Sequence, residues 1–309
     1  MRVLVTGASG FVGSHLLREL EAHDHTPIPL ADPGDETNPL SVDITAPEAL
    51  QALIQREQPD ACIHLAGIAF VPTCRDNPEL ALNVNTGGTL NLLEAFRHHA
   101  PAARIVVVAT SEVYGRHAFD GPVDEDTPLR PTNVYGATKV AADQLTRLYA
   151  DLHGMHTLVA RPENHIGPGQ SEAFVASAFA RQVGEALKAG KGVAHLLTGN
   201  LESKRDFTDV RDTVRAYRLL LESGTPGKAY NVASGQLTRI GALLEYLAQA
   251  AGIEVTQETD PALFRPTDCS PEISVARLRA DTGWEPRIPL ATTAADILAE
   301  QLDVLPLHD

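Results

Sequence analysis

The sequence predicts an α/β fold, a parallel sheet wound on both faces by helices, with a smaller C-terminal lobe. Three observations predict it. Short β-branched runs alternate with helical patterns through the first half, the rhythm of parallel strands joined by crossover helices. A glycine-rich turn, Gly7-Ala8-Ser9-Gly10-Phe11-Val12-Gly13, lies directly between the first strand and the first helix. The rhythm then loosens after Pro162, where Gly, Pro and Asn separate shorter segments.

The elements follow in order. Residues 2–6 form an apolar strand and residues 11–22 a helix. Residues 26–30 are a strand weakened by Pro27 and Pro29, since proline cannot donate to a ladder. Residues 47–58 read as a helix, 61–65 as a strand and 77–99 as one long helix. Residues 104–109 are a near-continuous apolar run, the kind buried on both faces of a parallel sheet. A helix over 133–153 and a strand over 156–160 complete the rhythm. Beyond it, residues 210–222, 239–251 and 274–282 read as helices. Right-handed crossovers place every strand's carboxyl end, and the ligand crevice with them, along one edge.

Composition bounds the function. The chain has 309 residues with formal net charge −15, 43% hydrophobic and 21% charged. That suits one large α/β domain, or one with a smaller lobe. The acidic balance argues against nucleic acid or an anionic membrane surface as partner, because both need a basic face. Cys62, Cys74 and Cys269 lack metal-type spacing, and three cysteines cannot all pair with one another. We expect no metal and a reducing, cytoplasmic setting. The apolar run from Met1 to Thr6 is too short for a signal peptide. No stretch approaches about 18 consecutive apolar residues, so no membrane span is expected.

The glycine turn has a physical reading. Glycine permits positive φ and lets a phosphate approach the backbone closely. The N–H groups of the following helix then face the pyrophosphate of a dinucleotide. Gly13 lets that helix lie close to the strand. Asp32, just past the second strand, can accept hydrogen bonds from adenosine ribose hydroxyls and would repel a 2′-phosphate. NAD(H) is therefore favoured, with NADP(H) still open; the bland alternative is a turn aspartate beside Pro33 and Gly34.

A second set carries chemistry. Tyr135 and Lys139 in Tyr-Gly-Ala-Thr-Lys are four apart and share a helix face. A phenol of pKa about 10 is a poor acid–base group at neutral pH, and a nearby ammonium would lower that value. Thr110-Ser111-Glu112-Val113-Tyr114-Gly115 follows the buried strand and so faces the crevice. Glu112 has a structural alternative, a loop carboxylate capping backbone groups.

Taken together, the GxxGxxG turn and the YxxxK pair resemble the short-chain dehydrogenase/reductase superfamily, in its extended, epimerase/dehydratase branch. The resemblance implies a Rossmann-type dinucleotide domain over residues 1–165 and a mainly substrate-binding lobe over 166–309, with interleaved segments. It implies that Gly7, Ser9, Gly10, Phe11, Val12 and Gly13 hold the cofactor, with Asp43-Ile44 beside the adenine and Leu65-Ala66-Gly67 lining the site. It makes Thr110, Tyr135 and Lys139 catalytic. Ser111 and Glu112 fall where sugar 4,6-dehydratases place an acid–base pair.

The second half narrows this. Arg161-Pro162-Glu163-Asn164-His165-Ile166-Gly167-Pro168-Gly169-Gln170, the Gly199–Asp212 stretch containing Arg205-Asp206-Phe207, Tyr230-Asn231-Val232 and Arg265-Pro266 look like GDP-4-dehydro-6-deoxy-D-mannose reductases. The likeness runs nearly to the end, through Thr282-Gly283-Trp284-Glu285-Pro286. It implies that Asn164 contacts the sugar-diphosphate region, that Arg205 and Arg265 in loops grip the diphosphate of a GDP-linked sugar, and that the product is GDP-D-rhamnose. One departure stands out: Glu163 occupies a position usually aromatic. It could touch a sugar hydroxyl, mark another substrate, or pair with Arg161. Thr138 replaces the more usual serine.

The leading expectation is a 4-ketoreductase. A nucleotide-sugar 4-epimerase with retained NAD, a 4,6-dehydratase using Glu112, and a non-catalytic nucleotide sensor are the alternatives. A homodimer through residues 77–99 and 133–153 is expected, as in related enzymes.

Overall fold

The computed structural model describes residues 1–31, 33, 40–116, 119, 121–264 and 270–303. Strands run in order β1 Arg2–Thr6, β2 Thr26–Leu30, β3 Ala61–His64, β4 Arg104–Val108, β5 His156–Pro162, β6 Asn164–Ile166, β7 Val193–Thr198, β8 Lys204–Asp209, β9 Ala229–Val232, β10 Leu237–Arg239 and β11 Glu254–Thr259. Helices are α1 Phe11–Glu21, α2 Pro47–Glu57, α3 Val71–Asp76, α4 Pro78–Leu82, α5 Gly88–His99, α6 Val134–His153, α7 Val175–Lys188, α8 Val210–Ser223, α9 Ile240–Ala251, α10 Ala276–Thr282 and α11 Leu290–Gln301. A π-helical turn, Asn83–Gly87, joins α4 to α5. The chain divides into two units, one of Met1–Glu163, Thr213–Val232 and Ile273–Trp284, the other of Asn164–Asp212, Ala233–Glu272 and Glu285–Asp309.

The first unit carries a six-stranded sheet in the order β2-β1-β3-β4-β5-β9, parallel at every pairing. All four residues of β3 are buried, as a sheet covered on both faces requires. Leu4, Leu50, Ile54, Leu92, Phe96 and Ile105 form a core between sheet and helices. The two prolines of β2 are tolerated because β2 ends the sheet: Pro27 and Pro29 face Val3 and Val5 of β1, two residues apart, so both missing N–H groups point away from the ladder.

The long helix expected over 77–99 is interrupted. α4 starts at Pro78, and the π turn inserts one residue's worth of slack before α5. Asn85 sits in that turn, fully buried.

The second unit has a three-stranded sheet β10-β8-β6 and a two-stranded pair β11-β7. Phe179, Val183, Leu196, Phe207, Leu243 and Ile297 pack its core. Among the described residues, no helix is long and apolar enough to cross a membrane.

Candidate active site

The glycine turn is built as its chemistry requires. Gly7 has φ +68°, and a Cβ there would lie 3.0 Å from the Ala66 amide nitrogen. Gly13 is tighter: its Cβ would meet the Gly7 carbonyl oxygen at 2.3 Å. Gly10 precedes α1 in extended geometry with no side-chain cap. Ser9 and Gly10 are exposed, while Phe11 and Val12 are half-buried. An uncapped helix start beside exposed small residues fits a dinucleotide pyrophosphate.

The neighbouring expected contacts divide. Asp32 lies outside the described residues. Asp43 is exposed, and its Oδ1 accepts from the Thr45 amide (2.8 Å) and hydroxyl (2.7 Å), an Asx-type turn. Ile44 is buried against Gly88, where a Cβ would come within 2.5 Å of Ile44 Cδ1. Leu65-Ala66-Gly67 leaves the end of β3, with the Leu65 and Ala66 amides donating to the Thr6 carbonyl and Oγ1.

Several residues the sequence reading did not single out hold this segment. Asn85 Oδ1 accepts from the Ile68 amide at 2.7 Å, and its Nδ2 donates to the Ile68 carbonyl and Thr138 Oγ1. His64 is buried between Thr6 Oγ1 (2.7 Å) and Thr89 Oγ1 (3.2 Å). Burial, helped by the charge of Lys139, pushes the His64 pKa down to about 3. The signal for Asn85 was a buried-type helix position occupied by asparagine; for His64 it was a histidine ending an apolar strand.

Tyr135 and Lys139 occupy the first turns of α6, which Asn133 caps through Oδ1 to the Gly136 amide at 2.7 Å. Both are buried. Thr110 follows β4, its Oγ1 accepts from the Glu112 amide at 3.2 Å, and its side chain pulls the Tyr135 pKa down. Lys139 Nζ donates to the Val108 carbonyl at 2.9 Å, and a Cβ on Gly67 would lie 3.4 Å from that Nζ. Lys139 thus points beneath the loop that follows β3. The expected lowering of the Tyr135 pKa is corrected here. Burial dominates and pushes the phenol up to about 12, against the pull of Thr110. The same desolvation pushes Lys139 down to about 8. At neutral pH the phenol is a held proton donor.

The carboxylates part company. Glu112 accepts from the side chains of Arg116 at 2.7 Å and Asn133 Nδ2 at 2.8 Å. Ser111 Oγ instead donates to Glu163 Oε2, with both residues buried. Arg161 is fully buried and binds Asp143 through Nε (2.7 Å) and NH2 (3.1 Å), together with the Tyr114 hydroxyl and the Glu125 carbonyl. The carboxylate that Arg161 binds in this way is therefore Asp143.

The segments assigned to substrate also divide. Asn231 is fully buried and structural, donating to the Val123 and Ser274 carbonyls and accepting from Tyr114. Asn164 is exposed on β6 of the second unit. Arg205, expected in a loop, lies on β8 and is 9% exposed, donating to the Lys204 carbonyl. Arg265 lies outside the described residues.

A parallel sheet, a glycine turn at its first crossover and a Thr–Tyr–Lys set at its carboxyl edge define a dinucleotide-dependent enzyme. Residues 3–233 match the NAD dependent epimerase/dehydratase family. The chain is 39% identical to a GDP-6-deoxy-D-mannose reductase from Pseudomonas aeruginosa, over 97% of this chain and 96% of that protein. Among solved structures it is similar to RMD from Pseudomonas aeruginosa complexed with NADPH, with 37% identity, TM-score 0.88, and 98% and 97% of the two chains covered. It is also similar to Thermus thermophilus UDP-glucose 4-epimerase in complex with NAD, with 29% identity, TM-score 0.84, and 97% and 99% covered. The chain belongs to the NAD dependent epimerase/dehydratase family, the extended short-chain dehydrogenases/reductases.

Proposed function

We propose that this enzyme reduces the 4-keto group of a nucleotide-activated 6-deoxyhexose, converting GDP-4-dehydro-6-deoxy-D-mannose to GDP-D-rhamnose. The supporting observation is near-full-length similarity to a GDP-6-deoxy-D-mannose reductase in a chain whose Thr110 side chain acts on the buried Tyr135 phenol at the sheet edge. When bound, the reduced nicotinamide supplies a hydride. The chain supplies the rest. Tyr135, protonated and buried, gives its proton to the carbonyl oxygen as negative charge develops there. Thr110 orients that proton, and Lys139, one turn along, keeps positive charge near the developing oxyanion. Gly7 to Gly13 hold the pyrophosphate, with Asp32 and Asp43-Ile44 toward the adenosine. Asn164, Arg205 and Arg265 would serve the sugar diphosphate.

A dehydratase needs a carboxylate ready to take a proton, and Glu112 is engaged by Arg116 and Asn133. That favours the reductase. The test follows reduced-nicotinamide absorbance with GDP-4-dehydro-6-deoxy-D-mannose, using NADH and NADPH in parallel. Stoichiometric oxidation is expected. Sugar interconversion without net oxidation would make the enzyme an epimerase with retained cofactor. Exposed Leu80, Leu82, Leu90, Leu148 and Leu152 on α4, α5 and α6 support a homodimer through these helices, which sedimentation velocity tests.

A further inference from the structure

Two adjacent hydroxyls at the end of β4 have different hydrogen-bond roles. Thr110 Oγ1 accepts from the Glu112 amide at 3.2 Å, and its side chain stands beside Tyr135, pulling the phenol's pKa down against burial. Ser111, 7% exposed, donates its proton to Glu163, 8% exposed, at the end of the neighbouring strand β5. A carboxylate has no proton to give, and a serine hydroxyl has only one. With Glu163 ionised, Ser111 offers only lone pairs to anything else, and that charge strengthens it as an acceptor. Arg161, two residues earlier, has its guanidinium fork on Asp143.

A carbonyl oxygen is itself only an acceptor, so it suits the Thr110–Tyr135 pair and is repelled by Ser111. A hydroxyl on the carbon next to the carbonyl has a proton to give and suits Ser111. We infer that Ser111, held as an acceptor by Glu163, recognises a free hydroxyl adjacent to the reacting carbonyl, so that the enzyme selects α-hydroxy ketones. On a 4-keto-6-deoxyhexose that group is the C3 hydroxyl. Ser111 touches substrate, and Glu163 is a positioning residue acting through it. This rests on the reductase reading above and adds the selection rule.

The test measures kcat/KM for GDP-4-dehydro-6-deoxy-D-mannose and its 3-deoxy analogue in wild type, Glu163→Gln, Ser111→Ala and the double variant. Wild type should prefer the hydroxylated substrate by on the order of tenfold to a hundredfold, the scale of one charge-assisted hydrogen bond. A glutamine amide both donates and accepts, so it no longer fixes the Ser111 proton. The preference should fall about tenfold in Glu163→Gln, similarly in Ser111→Ala, and no further in the double variant, because the pair acts as one unit. A preference unchanged in Glu163→Gln, with both substrates slowed alike, overturns the inference; so does an additive double variant. Dinucleotide titration reports folding, and if Glu163→Gln fails to fold, Ser111→Ala alone carries the ratio. If wild type oxidises the reduced cofactor with neither substrate, the reductase reading falls. Calorimetry with GDP-D-rhamnose and its 3-deoxy form on dinucleotide-loaded protein then gives the ratio, and equal or absent affinity overturns the selection rule as well.

Discussion

Acidification should loosen the sheet edge chiefly through His64, with His156, whose pKa burial also lowers, adding in the same direction. Its two ring nitrogens sit in a directional chain. The Ala66 amide donates to Thr6 Oγ1, and Thr6 Oγ1 lies 2.7 Å from His64 Nδ1. On the other side, His64 Nε2 lies 3.2 Å from Thr89 Oγ1, which donates to the Asn85 carbonyl. Thr89 has spent its proton, so Nε2 must donate to it, and Nδ1 must accept from Thr6. A second proton on the ring would face the Thr6 hydroxyl with two donors and no acceptor, while Lys139 repels the charge. The folded pKa of about 3 lies below the ordinary 6.5, so on acidification the unfolded chain takes up the proton first. Stability is retained above about 6.5 and lost progressively as pH falls toward about 3. Between about pH 7 and about pH 5 this amounts to about 2 kcal/mol by linkage. Carboxylates contribute little over that span because most titrate lower. Urea unfolding at several pH values should give His64→Gln a lower stability at neutral pH and a shallower loss on acidification. Parallel pH profiles for the two proteins would refute the assignment of acid sensitivity to this ring.

Other predictions rest on equally local geometry. Gly13→Ala places a Cβ 2.3 Å from the Gly7 carbonyl oxygen, so α1 must shift. It should cost about 1–3 kcal/mol and weaken dinucleotide binding, whereas Gly10→Ala, whose Cβ meets that oxygen at 3.3 Å, should lower the melting temperature less. Equal melting temperatures for the two variants would contradict the packing argument. Asp143→Ala strands a fully buried guanidinium and should cost about 3–5 kcal/mol, while Asp143→Leu with Arg161→Met should recover much of it; a denaturant midpoint unmoved in Asp143→Ala would overturn this. Tyr135→Phe removes the proton donor and should lower kcat by about 10²–10⁴ with dinucleotide binding intact by fluorescence titration. Near-wild-type turnover would refute the acid role.

What was legible in the sequence follows from what composition can encode. Of the first five strands, β1, β3, β4 and β5 read correctly because each is a short, largely apolar run bounded by turn residues, and burial on both faces forces that pattern. β2 survived its two prolines for a reason the sequence hides, namely its place at the sheet end. The π turn at Asn83–Gly87 was not legible, since residues 77–99 keep a helical period throughout and only the inward hydrogen bonds of Asn85 explain the slack. α7 was legible and was passed over: Ala176, Phe179, Ala180 and Val183 are buried at helical spacing. β6 and β10 span three residues each, too short for any period to register. The Tyr135–Lys139 face was read from spacing alone, but the direction of the Tyr135 shift was not, because burial is a property of packing.

The Ser111–Glu163 pair marks where that boundary falls. The sequence places strands at 104–109 and 156–160 and singles out both residues, but it sets Ser111 beside Glu112 only through the resemblance to sugar 4,6-dehydratases and leaves Glu163 open between a sugar hydroxyl, another substrate and Arg161. Neither reading brings Ser111 and Glu163 together, because their meeting depends on strand register. Val108 faces Ala160 across β4 and β5, and Ser111 meets Glu163 at the same separation of 52 residues. The offset of the two strands is kept in this pair although Ser111 already begins a 3-10 turn, Ser111–Val113. Arg161, inside β5, looks instead to Asp143 on α6, 18 residues away. A carboxylate at the end of a central parallel strand is therefore best assigned by carrying the register forward to the next strand before any neighbour in sequence is considered.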